Sequence, residues 1–225
     1  DTLHLVYLVA IANGTKIMYR TKTLAGAWSA EEEVVNIAAK YQSLDGGDIS
    51  VDSGGVVHLT FEGEGAPGAA SATVTNALYK QRSGGAWQAT ELITDMGGTN
   101  NQSDVSHVLD SANDVHVAWT GLGHGANPAV GNAKYRKRQS GVWQAQESVT
   151  DSATAAYKIS ASMDGVDNFW VVWEHLTVPI TMKSRKRDSS GVWATERTLL
   201  SDNNQIWWGK ALWANYPTGG HNKIA

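Results

Sequence analysis

Short runs with alternating apolar positions recur along the chain, and none keeps the 3.6-residue spacing of an amphipathic helix. Three of them align without gaps: Val57-His58-Leu59-Thr60-Phe61, Val115-His116-Val117-Ala118-Trp119 and Phe169-Trp170-Val171-Val172-Trp173. A fourth copy, Leu3-His4-Leu5-Val6-Tyr7, opens the chain. Each begins apolar, places His or Trp second and ends in an aromatic residue, and those aromatics are 54, 58 and 54 residues apart. Strand-like segments at a period of about 50 residues predict a β-propeller rather than a helical solenoid.

Other marks recur in step. Six residues before His58, His116 and Trp170 lie Asp52, Asp110 and Asp164, each followed by small polar turn residues. Downstream come Met18-Tyr19-Arg20, Leu78-Tyr79-Lys80, Lys134-Tyr135-Arg136 and Lys183-Ser184-Arg185. A Gly-x-Trp follows each of these, ending in Trp28, Trp87, Trp143 and Trp193, and then Glu31, Glu91, Glu147 and Glu196. Each unit therefore reads as four antiparallel strands. Strand A precedes the Asp turn, B is the His-bearing segment, C carries the Tyr-Arg motif, and D starts at Gly-x-Trp.

The fold class expected is all-β: a propeller of about four four-stranded blades in a single domain, residues 1–225. The repeat units run over about 1–42, 43–102, 103–156 and 157–207, with 208–225 completing the first blade. The chain opens at a strand B and its last element, residues 209–216, reads as a strand A, so the C-terminus would close the ring and remove an unpaired edge. The alternative is a fragment of a larger ring, or a ring completed by several chains.

Composition narrows the partners. A net charge of -4 gives no basic field for nucleic acid. Without cysteine there is no disulfide and no Cys-based zinc site, and no metal or other cofactor is expected. No apolar run is long enough to span a bilayer, so no membrane insertion is expected. The chain starts at Asp1, as a processed or excised product would. Ten Trp stand against two Phe, and an indole suits both blade packing and sugar stacking.

Val-His-Val-x-Trp, Tyr-Arg-Lys-Arg and Gly-Val-Trp-Gln-x-x-Glu-x-Val-Thr together resemble the bacterial and phage propellers of the sialidase (BNR-repeat) superfamily over nearly the whole chain. The resemblance implies the fold. Two departures weigh against the family's activity. Ser50-Val51-Asp52-Ser53-Gly54 begins an Asp-box but falls between A and B with no Trp in place. The family's three catalytic arginines have no singular counterparts, since Arg20, Arg82, Arg136, Arg138, Arg185, Arg187 and Arg197 occupy repeat positions.

Function is expected where the repeat breaks, in the B–C and D–A loops, which share one face in a propeller. These loops bring Tyr41, Glu62, Glu64, His124, Asn127, Tyr157, Glu174, His175, Trp207 and Trp208. Aromatic faces, amides and carboxylates suit a glycan, whose C–H faces stack while its hydroxyls are fixed by polar groups. The expectation is a non-catalytic binding propeller for a glycan or other surface ligand, outside the cell or on a virion or surface assembly. It leaves open a place in a larger assembly or a homo-oligomer. A glycoside hydrolase using Glu62, Glu64 or Glu174 is the alternative; a purely structural module is the other. The recurring Tyr and Trp are expected to pack between blades. The strand-C Lys and Arg residues are expected on solvated faces, and the recurring His residues, replaced once by Trp170, in no metal site.

Overall fold

The structure, a computed structural model, describes residues 2–37 and 40–202, which form seventeen strands and no helix. The chain divides into two compact units, Asp1–Asn101 and Gln102–Ala225. In the first unit, β1 (Thr2–Ile11), β2 (Gly14–Thr23) and β3 (Glu32–Asn36) form one antiparallel sheet. A second sheet contains β4 (Gln42–Val51), β5 (Val57–Gly63), β6 (Asn76–Ser83) and the short β7 (Ala86–Trp87) and β8 (Glu91–Leu92). In the second unit a third sheet holds β9 (Gln102–Leu109), β10 (Val115–Gly121), β11 (Asn132–Gln139), β12 (Val142–Trp143) and β13 (Glu147–Ser148). The fourth is β14 (Ala156–Met163), β15 (Phe169–His175), β16 (Ile180–Arg187) and β17 (Arg197–Asp202). The last three sheets run A-B-C-D as expected. The first lacks a strand A among the described residues, and the segment expected to supply it, 208–225, lies outside them.

The Asp turns explain how A reaches B. Asp52, Asp110 and Asp164 each accept two backbone N–H bonds across the turn, as Asp110 Oδ1 does from Ala112 (3.0 Å) and Asp114 (2.9 Å). The fourth residue of each turn, Gly55, Asn113 or Asp167, is left-handed, as a type I turn with a bulge requires. The same carboxylates reach forward to strand B. His116 Nε2 donates to Asp110 Oδ2 (3.0 Å), while its Nδ1 accepts from the Tyr135 hydroxyl (2.8 Å). This fixes a neutral imidazole with both nitrogens engaged. Burial pushes the His116 pKa down and the Tyr135 phenol up. Burial alone would raise Asp110, but bonds from His116, Lys137 and the Asp114 amide hold its carboxyl well below the usual range. In the fourth sheet Trp170 Nε1 donates to Asp164 (3.2 Å), which is why Trp can stand in for His. An indole has no second nitrogen to receive a phenol, and Ser184 replaces the Tyr there.

Within each unit the two sheets meet through one repeated joint. Arg187 clasps Glu147 of the third sheet with two bonds (3.0 and 2.8 Å), over the face of Tyr135 at 4.9 Å. Trp193 stands edge-on to Tyr135, with centroids 5.5 Å apart, and its Nε1 bonds Glu147 (2.7 Å). In the first unit Arg82, Glu32, Tyr19 and Trp87 repeat the clasp, the stack and the edge contact. The strand-C cations are thus not solvated side chains. Alternation turns Tyr to one face and Lys80, Arg82, Arg185 and Arg187 to the other, where Arg185 and Lys80 also cap the carbonyls of Val149 and Val34. The Glu used in the first sheet is Glu32, one residue beyond the Glu31 of the sequence alignment; Glu31 instead accepts from Tyr7 (2.6 Å).

Glu147→Ala removes the acceptor of both Arg187 and Trp193. It should cost about 1–3 kcal/mol in urea unfolding, with non-additivity toward Arg187→Ala of at least about 1 kcal/mol. Additive losses would show that the clasp contributes nothing.

Candidate ligand-binding site

The expected loop residues fall into one cluster in the first unit and two in the second. In the first, Glu62 is buried on β5 opposite Ser43. Tyr41 is exposed, and its carbonyl accepts from the Glu64 amide (3.1 Å). Buried Gln42 donates to the Glu64 carbonyl (3.1 Å), leaving its Oε1 without a partner. Gly63 must lack a side chain because Gln42 lies over it, as Gln102 lies over Gly121 in the third sheet.

The second unit shows the complete version of that arrangement first. Gln102 Oε1 receives Trp119 Nε1 (3.0 Å) and His124 Nε2 (2.7 Å), and Gln146 donates to His124 Nδ1 (3.2 Å). Burial, aided by the Lys134 charge, pushes the His124 pKa down to about 4. His124 is therefore a neutral, fully bonded wedge between β10 and its loop. Asn127, half-buried in that loop, holds its turn by accepting from the Val130 amide (3.0 Å).

The fourth sheet departs from this pattern. Ala156 stands where Gln42 and Gln102 stand, His175 where Gly63 and Gly121 stand, and Thr181 where Asn76 and Asn132 stand. Asn132 Oδ1 accepts from the Thr150 hydroxyl (3.0 Å) and the Ser152 amide (2.9 Å). Thr181 has no such partner. Trp173 Nε1, Glu174 Oε1, His175 Nδ1 and Thr181 Oγ1 are all buried and unpartnered, at the last residues of β15 and the facing start of β16. Such atoms are rare enough in folded proteins that each calls for a cause. His175 Nε2 meets the Ser152 hydroxyl (3.3 Å). Burial, then the Lys183 charge, lowers the His175 pKa; burial, with the Asp104 carboxylate adding and Lys158 opposing, raises that of Glu174.

Tyr157 is the exposed aromatic of this cluster, paired across the ladder with Glu174. Beside it Asp104 and Lys158 both adopt left-handed backbone, and Asp104 Oδ2 accepts from Thr120 (3.0 Å) and the Lys158 amide (3.2 Å). Tyr157, Glu174 and His175 are thus brought together, whereas His124 and Asn127 serve the third sheet's own loop. Trp207 and Trp208 lie outside the described residues. Sequence reasoning missed Trp173, Thr181, Asp104 and Lys158. Aligning the strand ends as well as the motifs would have found Thr181, because it breaks an Asn repeat.

No protein-family model and no curated relative matches the chain. Solved structures do. A Dyadobacter fermentans protein of unknown function aligns at 11% identity and TM-score 0.57, over 87% of this chain and 56% of its own. A Hadza microbial sialidase aligns at 11% identity and TM-score 0.62, over 89% and 45%. An ulvan lyase bound to -[GlcA(1-4)Rha3S]- aligns at 10% identity and TM-score 0.56, over 86% and 54%. The likeness is one of fold. This chain spans about half the length of each of them.

Glu174 carries a buried carboxyl with a raised pKa, so its charged form weakens the fold as pH rises through that value. Glu174→Gln should therefore raise Tm at pH 8, with the gain shrinking below the ordinary carboxylate range. A lower Tm at pH 8 would contradict this.

Proposed function

We propose that the chain is a saccharide-binding β-propeller whose site is the cluster of Tyr157, Glu174, His175, Trp173 and Thr181. The observation that carries this reading is the gathering of four buried polar atoms without partners beside an exposed aromatic ring. The exposed Tyr157 ring offers a stacking face to the C–H face of a sugar, and the unpartnered polar groups beneath it mark where this sheet departs from the bonded pattern of the others. The saccharide-related names among the structures of like fold point the same way. Binding is non-catalytic in this reading, and the protein works outside the cell or in a surface or virion assembly.

A glycan array should reveal at least one ligand, and Tyr157→Ala and Glu174→Gln should each weaken it tenfold or more. Absence of binding to any glycan would discard the reading. The raised pKa of Glu174 favours one second reading, a glycoside hydrolase with Glu174 as acid. Turnover of fluorogenic glycosides lost in Glu174→Gln would establish it; inactivity over a broad panel would remove it.

The finer architecture of this proposal is one ring of four blades, closed by residues 208–225 pairing with β1. Among the described residues β1 pairs with β2 alone, which leaves its other edge for a further strand to cover. Deleting residues 203–225 should then turn a monomer into oligomers in light scattering. A truncated chain that stays monomeric and equally stable would contradict closure.

A further inference from the structure

The second and third sheets place a glutamine opposite a glycine at one rung of the A–B ladder, Gln42 with Gly63 and Gln102 with Gly121. The fourth sheet reverses the sizes, with Ala156 opposite His175. In the third sheet the Gln102 side chain crosses over Gly121 and ties the end of β10 three times, to Trp119, to His124 and to the Leu122 carbonyl (3.1 Å). In the fourth the bulk crosses from β15 instead, and the His175 imidazole has a single tie, to the Ser152 hydroxyl (3.3 Å) in the segment after β13. Ser152 is itself held, by its amide on Asn132 Oδ1 (2.9 Å) and by the Thr154 amide on its Oγ (3.0 Å). One nitrogen thus fastens the last residue of β15 to a fixed segment of the third sheet. The other, Nδ1, is buried with no partner.

A neutral imidazole can keep its one proton on Nε2, for Ser152, and leave Nδ1 as an unused acceptor. An imidazolium has no such freedom, because both nitrogens then donate and Nδ1–H meets no acceptor. The surroundings do not compensate the charge. Lys183 of β16 carries the same sign, and Glu196 is engaged by Lys183 (2.6 Å). Glu174, next along β15, leaves the opposite face of the strand. Ala156 of β14 has no polar side chain, and Thr181 of β16 brings only a neutral hydroxyl that is itself unpartnered. Asp151 of the third sheet is turned to the Ala126 amide (3.1 Å). His116, by contrast, has the Asp110 carboxylate on its Nε2.

Burial, then Lys183, holds the His175 pKa below its ordinary 6.5, with Glu196 opposing. The neutral ring therefore stabilises the fold fully above that value, and the contribution is lost as pH falls toward the lowered one. Glu174 runs the other way, since its raised pKa favours burial at low pH.

We propose that His175 is the positioning residue of the saccharide site, and that an added proton releases the end of β15, so that the site is assembled at neutral pH and lost in mild acid. Tyr157 and Glu174 form the adjoining rung, and the Leu176 amide bonds the Ala155 carbonyl (3.1 Å) just beyond, so all three are disturbed with it. The inference deepens the saccharide reading and rests on it for the ligand, but the release itself is read without one.

Hydrogen exchange of backbone amides in ¹⁵N-labelled protein, corrected for intrinsic rates at pH 7.5 and about pH 5, reads the release. Protection of the Leu176 amide should fall tenfold or more at the lower pH, while that of the Val149 amide, bonded to Ala133 (3.0 Å), should hold. His175→Gln, whose amide can donate to Ser152 and does not titrate, should abolish the fall, and Glu174→Gln should keep it. Ser152→Ala should lower Leu176 protection already at pH 7.5. On the glycan array the signal should drop tenfold or more between the two pH values, and the ratio should approach one in His175→Gln.

Unchanged Leu176 protection in acid would overturn the proposal, as would an acid loss that persists in His175→Gln. Array binding equally strong at both pH values would overturn the gating and leave the saccharide reading standing. Acid release with no array binding at either pH would remove the saccharide reading and keep His175 as the fastening of β15.

Discussion

The bidentate Arg–Glu clasp over a tyrosine ring is the interaction on which the paired sheets depend. A four-stranded meander has two faces to cover and cannot cover them alone. Here one face presents Tyr and Glu, the other presents Arg and Trp, and the two are complementary. The clasp lies partly shielded, so it gains strength from reduced screening without the full desolvation penalty of a deep ion pair. Apolar burial around Tyr135, Phe169 and Trp173 supplies the bulk of the cohesion, and the clasp supplies the register.

The His–Tyr–Asp chain behind it links turn to strand to joint. The Asp carboxylate closes its turn through backbone amides and then orients the imidazole, and the imidazole orients the phenol on which the neighbouring Trp packs. In the fourth sheet Trp170 keeps the bond to Asp164 but ends the chain, because its ring has no acceptor for a phenol. Ser184 stands at the Tyr position of the same sheet, so neither partner of the His–Tyr bond is present there.

Much of the fold was legible because the repeat is written in residue types with narrow roles: Asp before a tight turn, His second on a strand, Gly-x-Trp at a hairpin. Arg82 and Arg187 were misread as solvated since alternation alone says that a side chain leaves the sheet, and not what stands opposite it. Glu31 was taken for Glu32 because the irregular stretch after Trp28 allows a slip of one residue. At the site, Tyr157, Glu174 and His175 were visible as loop-proximal and unusual. Trp173 and Thr181 were not, because their role depends on partners that are missing, and missing partners leave no motif. His124 looked like a ligand-binding residue by position and is a bonded wedge by geometry, its two nitrogens taken by Gln102 and Gln146.

The proposed saccharide site lies in the broken repeat rather than in the intact one. Backbone amide mapping of the ¹⁵N-labelled protein with a saturating saccharide tests that claim most directly. The shifts should concentrate in residues 156–158 and 173–181, leaving the amides of Tyr19, Glu32, Tyr135 and Glu147 in place. Shifts centred on those intact joints, with the end of β15 silent, would contradict it.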